Sequence, residues 1–269
     1  MTSDPSGPSP DVSAELDTTV PHSARIWNYW LGGKDNFAAD RVVGDQVRQA
    51  YPEVIDVARE SRAFLGRAVR FLTGDAGIRQ FLDLGTGLPT ADNTHDVAQG
   101  IAPDARIVYV DNDPLVLIHA RALLTSTPDG ATEYVDADVH EPDAILKVAA
   151  RTLDFTRPIA VMMLGVLGNV ADTDDPGPAQ IVERFIDAVP SGSYLVINDS
   201  VITSETVEAV QTARSGGADY HLRTPARIAE FFKGLELVEP GVISTPLWRP
   251  EPGTEPKPLN VYCGVARKP

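Results

Sequence analysis

Short apolar runs that each end at a carboxylate constrain this chain most. Arg79-Gln80-Phe81-Leu82-Asp83-Leu84 reads as a strand buried on both faces, and it runs straight into the turn Gly85-Thr86-Gly87-Leu88-Pro89-Thr90. Ile107-Val108-Tyr109-Val110-Asp111 and Tyr134-Val135-Asp136-Ala137-Asp138 repeat the pattern. Continuous apolar runs mark strands covered on both sides, as in parallel sheets. Carboxylates at successive strand ends outline a nucleotide-type pocket along the carboxyl edge of an open α/β sheet.

The surrounding periodicity agrees. Strands are expected near 79–84, 106–111, 132–137, 158–164, 193–199, 236–245 and 259–267, and helices near 92–101, 114–124, 142–150, 178–189, 203–213 and 224–233. This alternation predicts a Rossmann-like, seven-stranded, mostly parallel sheet with helices on both faces. The last two strands have no helix signal between them, only the Pro/Glu-rich residues 250–258, so they are expected to form an antiparallel pair. That layout is the one found in class I methyltransferases.

Residues 22–75 are helical in pattern. Ala24, Ile26, Trp27, Tyr29, Trp30 and Leu31 cluster before Gly32-Gly33, and Val42, Val43 and Val47 follow at helical spacing. A third helix begins after Pro52 and stops near Gly74. Residues 1–20 are rich in Ser, Pro, Asp and Thr and should form a mobile tail, because they cannot bury enough apolar surface to offset ordering. The expected organisation is a tail over 1–20 and one domain over 21–269. Within that domain, 21–75 is a helical preamble acting as a cover and 76–269 is the Rossmann-like core.

Composition narrows the partners. A formal net charge of -15 with no basic run argues against a nucleic-acid backbone or an anionic membrane surface. No apolar run is long enough to span a bilayer and no basic, apolar leader is evident, so a cytoplasmic protein is expected. Cys263 is the only cysteine, and the five histidines form no ligand-like pairing, so no metal site is expected. Nothing specifies an oligomeric state.

The glycine turn decides between ligands. A dinucleotide site needs a third glycine to seat a pyrophosphate on the following helix. Here that position is Thr90, and Asp92 and Asp96 crowd the helix start, which suits a phosphate poorly. The acidic residue closing the second strand, Asp111, lies 26 residues after Gly85, against about 20 between motif and acid in the dinucleotide fingerprint. S-adenosylmethionine (SAM) has no phosphate and carries positive sulfonium and ammonium groups, which carboxylates accommodate. We therefore expect the backbone of Gly85, Thr86, Gly87 and Leu88 at the methionyl part, near Asp83. Asp111 and Asn112 belong at the ribose, and Asp138 and Val139 at the adenine. Asn93 should lie at the helix start and Gly165 in the loop after the fourth strand. The methionyl carboxylate needs a cation, and Arg25, Lys34 and Arg62 of the preamble are the candidates, Arg25 foremost. Methyl transfer requires no fixed acid–base pair; Asp199 and Asn169 are the candidate catalytic residues, with His140 and His221 as further bases.

Several motifs, taken together, carry a family resemblance. They are Ala24-Arg25-Ile26-Trp27-Asn28-Tyr29-Trp30-Leu31-Gly32-Gly33-Lys34-Asp35-Asn36-Phe37, Phe81 to Thr90, Asn93-Thr94-His95, Trp248-Arg249-Pro250 and Gly264 to Lys268. With them the chain resembles an actinobacterial family once catalogued as a domain of unknown function and now called the S-adenosyl methyltransferase family. The resemblance implies a class I fold, SAM as cofactor and methyl transfer to an unassigned, small-molecule acceptor; the alternative is a catalytically silent SAM-binding sensor or partner module. It also implies a histidine and an aromatic shortly after the fourth strand, where this chain has Gly168-Asn169.

Overall fold

The computed structural model describes residues 17–90, 92–123 and 126–269. The tail expected over 1–20 therefore lies mostly outside the described residues. The strands are β1 (Gln80–Leu84), β2 (Arg106–Asp111), β3 (Ala131–Asp136), β4 (Ala160–Leu164), β5 (Tyr194–Ser200), β6 (Glu236–Leu237), β7 (Ile243–Ser244) and β8 (Val261–Arg267). They form one sheet in the order β3-β2-β1-β4-β5-β8-β6, with β7 also paired to β8. The first five are mutually parallel, and β8 runs antiparallel to β5, β6 and β7.

One expected strand is corrected. Residues 236–245 do not form a single strand but two short pieces, so the sheet has eight strands, not seven. Pro240 has no N–H for the ladder, and Gly241 turns at a φ of 85° with its N–H bonded to the Val238 carbonyl. Both pieces still pair with β8, so the antiparallel closure survives the break.

Helices flank both faces: α1 (Ser23–Trp30), α2 (Ala38–Ala50), α3 (Val54–Arg70), α4 (Thr94–Ile101), α5 (Pro114–Leu123), α6 (Pro142–Ala149), α7 (Pro178–Ala188), α8 (Ser204–Ser215) and α9 (Pro225–Glu230). A π-helical turn, Phe71–Asp75, extends α3. Alternation along the strands sends side chains to two cores. Leu82, Leu84, Val108 and Val110 meet Ile145, Ile181 and Phe185 on one face. Phe81, Ile107 and Tyr109 meet Phe64, Leu65 and Val69 of α3 on the other. There Trp248 is fully buried, edge-on to Phe64 at 5.3 Å and to Phe71 at 6.0 Å.

A third apolar cluster ties the preamble to the sheet domain. Ile26, Val43, Val47, Tyr51, Val54 and Val57 pack with Ala209 of α8. The loop between α1 and α2 is held by buried polar groups. The Asn28 side-chain oxygen accepts from Asp35 N–H (3.1 Å) and Asn36 Nδ2 (2.9 Å). Asp40 accepts from the N–H groups of His22 (2.9 Å) and Phe37 (2.8 Å), fastening the start of α1 to the start of α2.

The strand order reverses at β1, which is flanked by β2 and β4. A switch of this kind opens a crevice beyond the carboxyl ends of the strands. The first helix of the preamble lies beside that crevice.

Candidate functional site

The crevice is a cavity of about 390 Å³ at the carboxyl ends of β1, β2 and β4, inside the roughly 300–1,000 Å³ span of small-ligand sites. Its floor is the turn after β1. Gly85 and Gly87 have φ of 68° and 66°, a region that side chains resist. A Cβ on Gly85 would also lie 2.5 Å from that of Val166. The N–H groups of Gly85 (2.8 Å) and Thr86 (3.2 Å) donate back to the Val110 carbonyl, which folds the turn over β2.

Two carboxylates are buried beneath this turn. Asp111 accepts from Gly87 N–H at 2.8 Å and from Asp113 N–H at 3.0 Å. Burial raises its pKa in spite of those two bonds. Asp83 accepts from Thr94 Oγ1 at 2.6 Å, and burial pushes it up to about 6. Arg62, which reaches in from α3, provides positive charge. Desolvation lowers its pKa, opposed by the nearby charges of Asp83, Tyr109, Asp92 and Asp96. At the β3 end, Asn112 Nδ2 donates to Asp138 at 2.9 Å and His140 N–H donates to its other oxygen, also at 2.9 Å. Burial works against the ionised Asp138, but the His140 and Asn112 bonds outweigh it and hold the carboxyl below its usual range.

The far wall is formed after β5. Asp199 is almost fully buried and accepts from the Tyr220 hydroxyl, and burial raises it to about 6. Arg223 Nη1 lies 3.7 Å from its other oxygen. Tyr220 is the cavity-lining member of this pair. Its ring lies over Gly168, where any side chain would collide with it. Tyr220 thus lies against the Gly168-Asn169 segment, where the resemblance implied a histidine and an aromatic.

The S-adenosyl methyltransferase family profile matches residues 9–269. The chain belongs to that family. Two crystal structures are similar over nearly the whole chain. A DUF574 family protein from Streptomyces avermitilis is 42% identical, covers 94% of this chain and 100% of its own, and superposes with a TM-score of 0.89. A candidate methyltransferase from Thermobifida fusca is also 42% identical, with 97% and 99% coverage and a TM-score of 0.87. The plantazolicin methyltransferase BpumL, at 10% identity, covers 91% of this chain and 96% of its own; its TM-score of 0.51 is a likeness of fold alone. Comparison with curated proteins gives no match.

As a member of the S-adenosyl methyltransferase family, the protein is a SAM-dependent methyltransferase. The lining is compatible with that cofactor: Gly85 and Gly87 leave the floor of the cavity without side chains, and Asp83 and Asp111 place buried carboxylates beside it. Among the expected site residues of this methyltransferase, Asp83, Gly85, Thr86, Gly87, Leu88, Asp111, Asn112, Asp138, Val139, Gly165 and Asn169 all line the cavity.

Five expected residues do not, His221 among them. Arg25 is engaged elsewhere: its Nε and Nη2 form a buried bidentate pair with Asp113 at 2.9 and 3.0 Å, and Nη1 donates to the Asp17 carbonyl. Lys34 is exposed on the α1–α2 loop. Asn93 serves the start of α4, with its N–H donating to Asp96 and its side-chain oxygen accepting from Thr90 N–H. Asp199 is shut off behind Tyr220. Reasoning from sequence missed Tyr220 and the α8 wall entirely. Neither carries a local signal, since both depend on which distant segment folds across the strand ends. Among the described residues, no helix is long and apolar enough to cross a membrane and no group of side chains is arranged to hold a metal ion.

Proposed function

We propose that the enzyme binds SAM in this cavity and methylates a small molecule in the cytoplasm, with no part for nucleic acid. The observation that carries the cofactor assignment is Asp111, buried at the end of β2 and fastened to Gly87 of the turn. A carboxylate fixed there has lone pairs left for vicinal ribose hydroxyls. Asp138 and the backbone around Val139 meet the adenine edge. The turn from Gly85 to Leu88 would hold the methionyl chain, Asp83 its ammonium group, and Arg62, in the place first given to Arg25, its carboxylate. When bound, SAM supplies an electrophilic methyl group on a sulfonium.

The chain's own contribution is orientation, exclusion of water and a route for a proton. Tyr220 lines the cavity, and its hydroxyl donates to Asp199 behind it. A proton leaving the acceptor passes to Tyr220 Oη as Tyr220 hands its own to Asp199. With its carboxyl at about 6, Asp199 is mostly ionised at neutral pH and free to receive it. Asn169 donates to the carbonyls of Gly165 (3.3 Å) and Val166 (3.4 Å), so it shapes the loop between the two ends of the cavity. Residues 21–75 act as a cover on a single domain: His22, Ala24, Trp27 and Leu31 of this segment line the cavity.

Calorimetry with S-adenosylhomocysteine tests the assignment. The wild type should bind it, and at 100 times Kd the ligand should add about 2.7 kcal/mol to native stability. Asp111→Ala should lose about 1.5–3 kcal/mol of binding, as expected for hydrogen bonds to a charged group. NAD should give no stabilisation. An unchanged dissociation constant in Asp111→Ala removes that residue from the site.

A further inference from the structure

The cavity has two chemically different ends. Apart from Arg62 on α3 and the exposed Asp219 beyond α8, which pairs with Arg214, its charged side chains cluster at the strand ends. Of the lining residues contributed by α1, α2 and α8, none is charged, and α3 contributes only Arg62, whose Nη2 donates to the Asp92 carbonyl. The chamber between these four helices is lined instead by Trp27, Trp30, Val47, Val57, Ala209 and Val210. Trp27 and Trp30 meet edge to face at 5.8 Å and 63° and remain half-buried, with ring surface left for the cavity. The polar groups in this wall are already occupied. Trp30 Nε1 donates to the Gly44 carbonyl, Thr206 Oγ1 donates to the Val201 carbonyl, and Asn28 holds the α1–α2 loop. Ser61 and Tyr51 differ: both are buried and line the cavity, and among the described residues neither hydroxyl has a hydrogen-bond partner.

We propose that this chamber is the acceptor subsite and that the acceptor is an uncharged, largely apolar, aromatic molecule carrying a hydroxyl. The inference rests on the assignment of the strand-end half to SAM, which leaves only the helical half for a second molecule. A charged acceptor would be moved out of water into a wall with nothing to pair it, at a cost no contact there repays. An anion would also face the carboxylates of Asp83 and Asp111. An aromatic ring, by contrast, gains area and edge-to-face contact against Trp27 and Trp30. Its hydroxyl can pair with Ser61 Oγ or Tyr51 Oη, the two lining hydroxyls without a partner, or donate to Tyr220 Oη.

The test is calorimetric, on the full chain saturated with S-adenosylhomocysteine, using 2-naphthol, 2-naphthoate and 2-naphthylmethylammonium as probes of one shape and three charges. The expected result is 2-naphthol binding at least about tenfold tighter than either charged probe, equivalent to about 1.4 kcal/mol. Val210→Trp fills the chamber from a half-buried position on α8. It should weaken 2-naphthol by about tenfold or more, again about 1.4 kcal/mol, and leave S-adenosylhomocysteine affinity unchanged. Ala213→Phe, one turn further along α8, repeats the test from a second position. Charged probes binding as tightly as 2-naphthol would overturn the inference. So would absence of 2-naphthol binding while S-adenosylhomocysteine binds, or unchanged 2-naphthol affinity in both filled variants. Failure of the wild type to bind S-adenosylhomocysteine would instead strike the cofactor assignment beneath it.

Discussion

Asp83 is a carboxylate whose ionisation the fold opposes. Burial holds it at about 6, above the ordinary carboxylate range. In the unliganded protein the sign is the reverse of the usual aspartate. A folded pKa above the unfolded one makes Asp83 contribute stability below the ordinary carboxylate pKa, and this contribution is lost as pH rises through about 6. A cationic ligand beside Asp83 needs the ionised form and pulls the pKa down. Binding therefore releases a proton, and SAM affinity should fall as pH drops below about 6, by up to about tenfold per unit. Calorimetry from pH 7.5 to 5 in buffers of different ionisation enthalpy would measure both effects. Asp83→Asn should weaken binding at pH 7 and reduce the slope. A slope equal to that of the wild type would show that Asp83 is not the titrating group. At this scale much was legible in the sequence: Asp83 and Asp111 lie in the last residues of β1 and β2, and Asp138, expected to close β3, lies two residues beyond it and still lines the cavity. The cation was not: Arg25 stood foremost of three basic residues of the preamble, but it is the partner of Asp113, and Lys34 is exposed.

The preamble helices are the element on which the two halves of the cavity depend. α1 is tied down at several points: Asp40 fastens its start, Arg25 pairs with Asp113 at the head of α5, and Ile26 enters the apolar cluster with α2 and α8. Its cavity-facing residues have no such anchor on the ligand side. Hydrogen exchange should therefore slow across residues 24–37 when S-adenosylhomocysteine binds, as expected of a cover that gains contacts. Equal protection with and without ligand would make α1 a static plug of the sheet. Breaking the Arg25–Asp113 pair should be costly in either case. Arg25→Ala leaves a carboxylate buried without its partner and should cost about 3–5 kcal/mol of stability, measurable by urea unfolding. A loss under 1 kcal/mol would show that the pair is compensated elsewhere. The run Leu31-Gly32-Gly33-Lys34-Asp35-Asn36-Phe37 gains its meaning here. It serves as the hydrogen-bonded bend joining two helices, where side-chain amides and carboxylates hold the loop and no ligand needs to.

In the whole molecule, stability and ligand binding draw on different faces of the sheet. Trp248 sits on the face covered by α3, away from the cavity lining. Trp248→Ala should cost about 3–5 kcal/mol in urea unfolding while leaving S-adenosylhomocysteine affinity within about twofold, less than 0.5 kcal/mol. A large loss of affinity in a folded variant would show that the two faces are coupled. The sequence by itself determined the sheet, because continuous apolar runs separated by helical periods admit few other arrangements. It determined the turn after β1 and the carboxylates along the strand ends for the same local reason: those signals lie within a dozen residues of one another. It did not determine that residues 236–245 break at Pro240-Gly241, since either half alone reads as strand. Only the tertiary structure decided which segments close the cavity. The wall joins α1, α2 and α3 to α8, and it brings Tyr220 over Gly168 and onto Asp199. Those contacts connect residues far apart in the chain, and they form because the exposed strand ends and the apolar faces of four helices must bury one another.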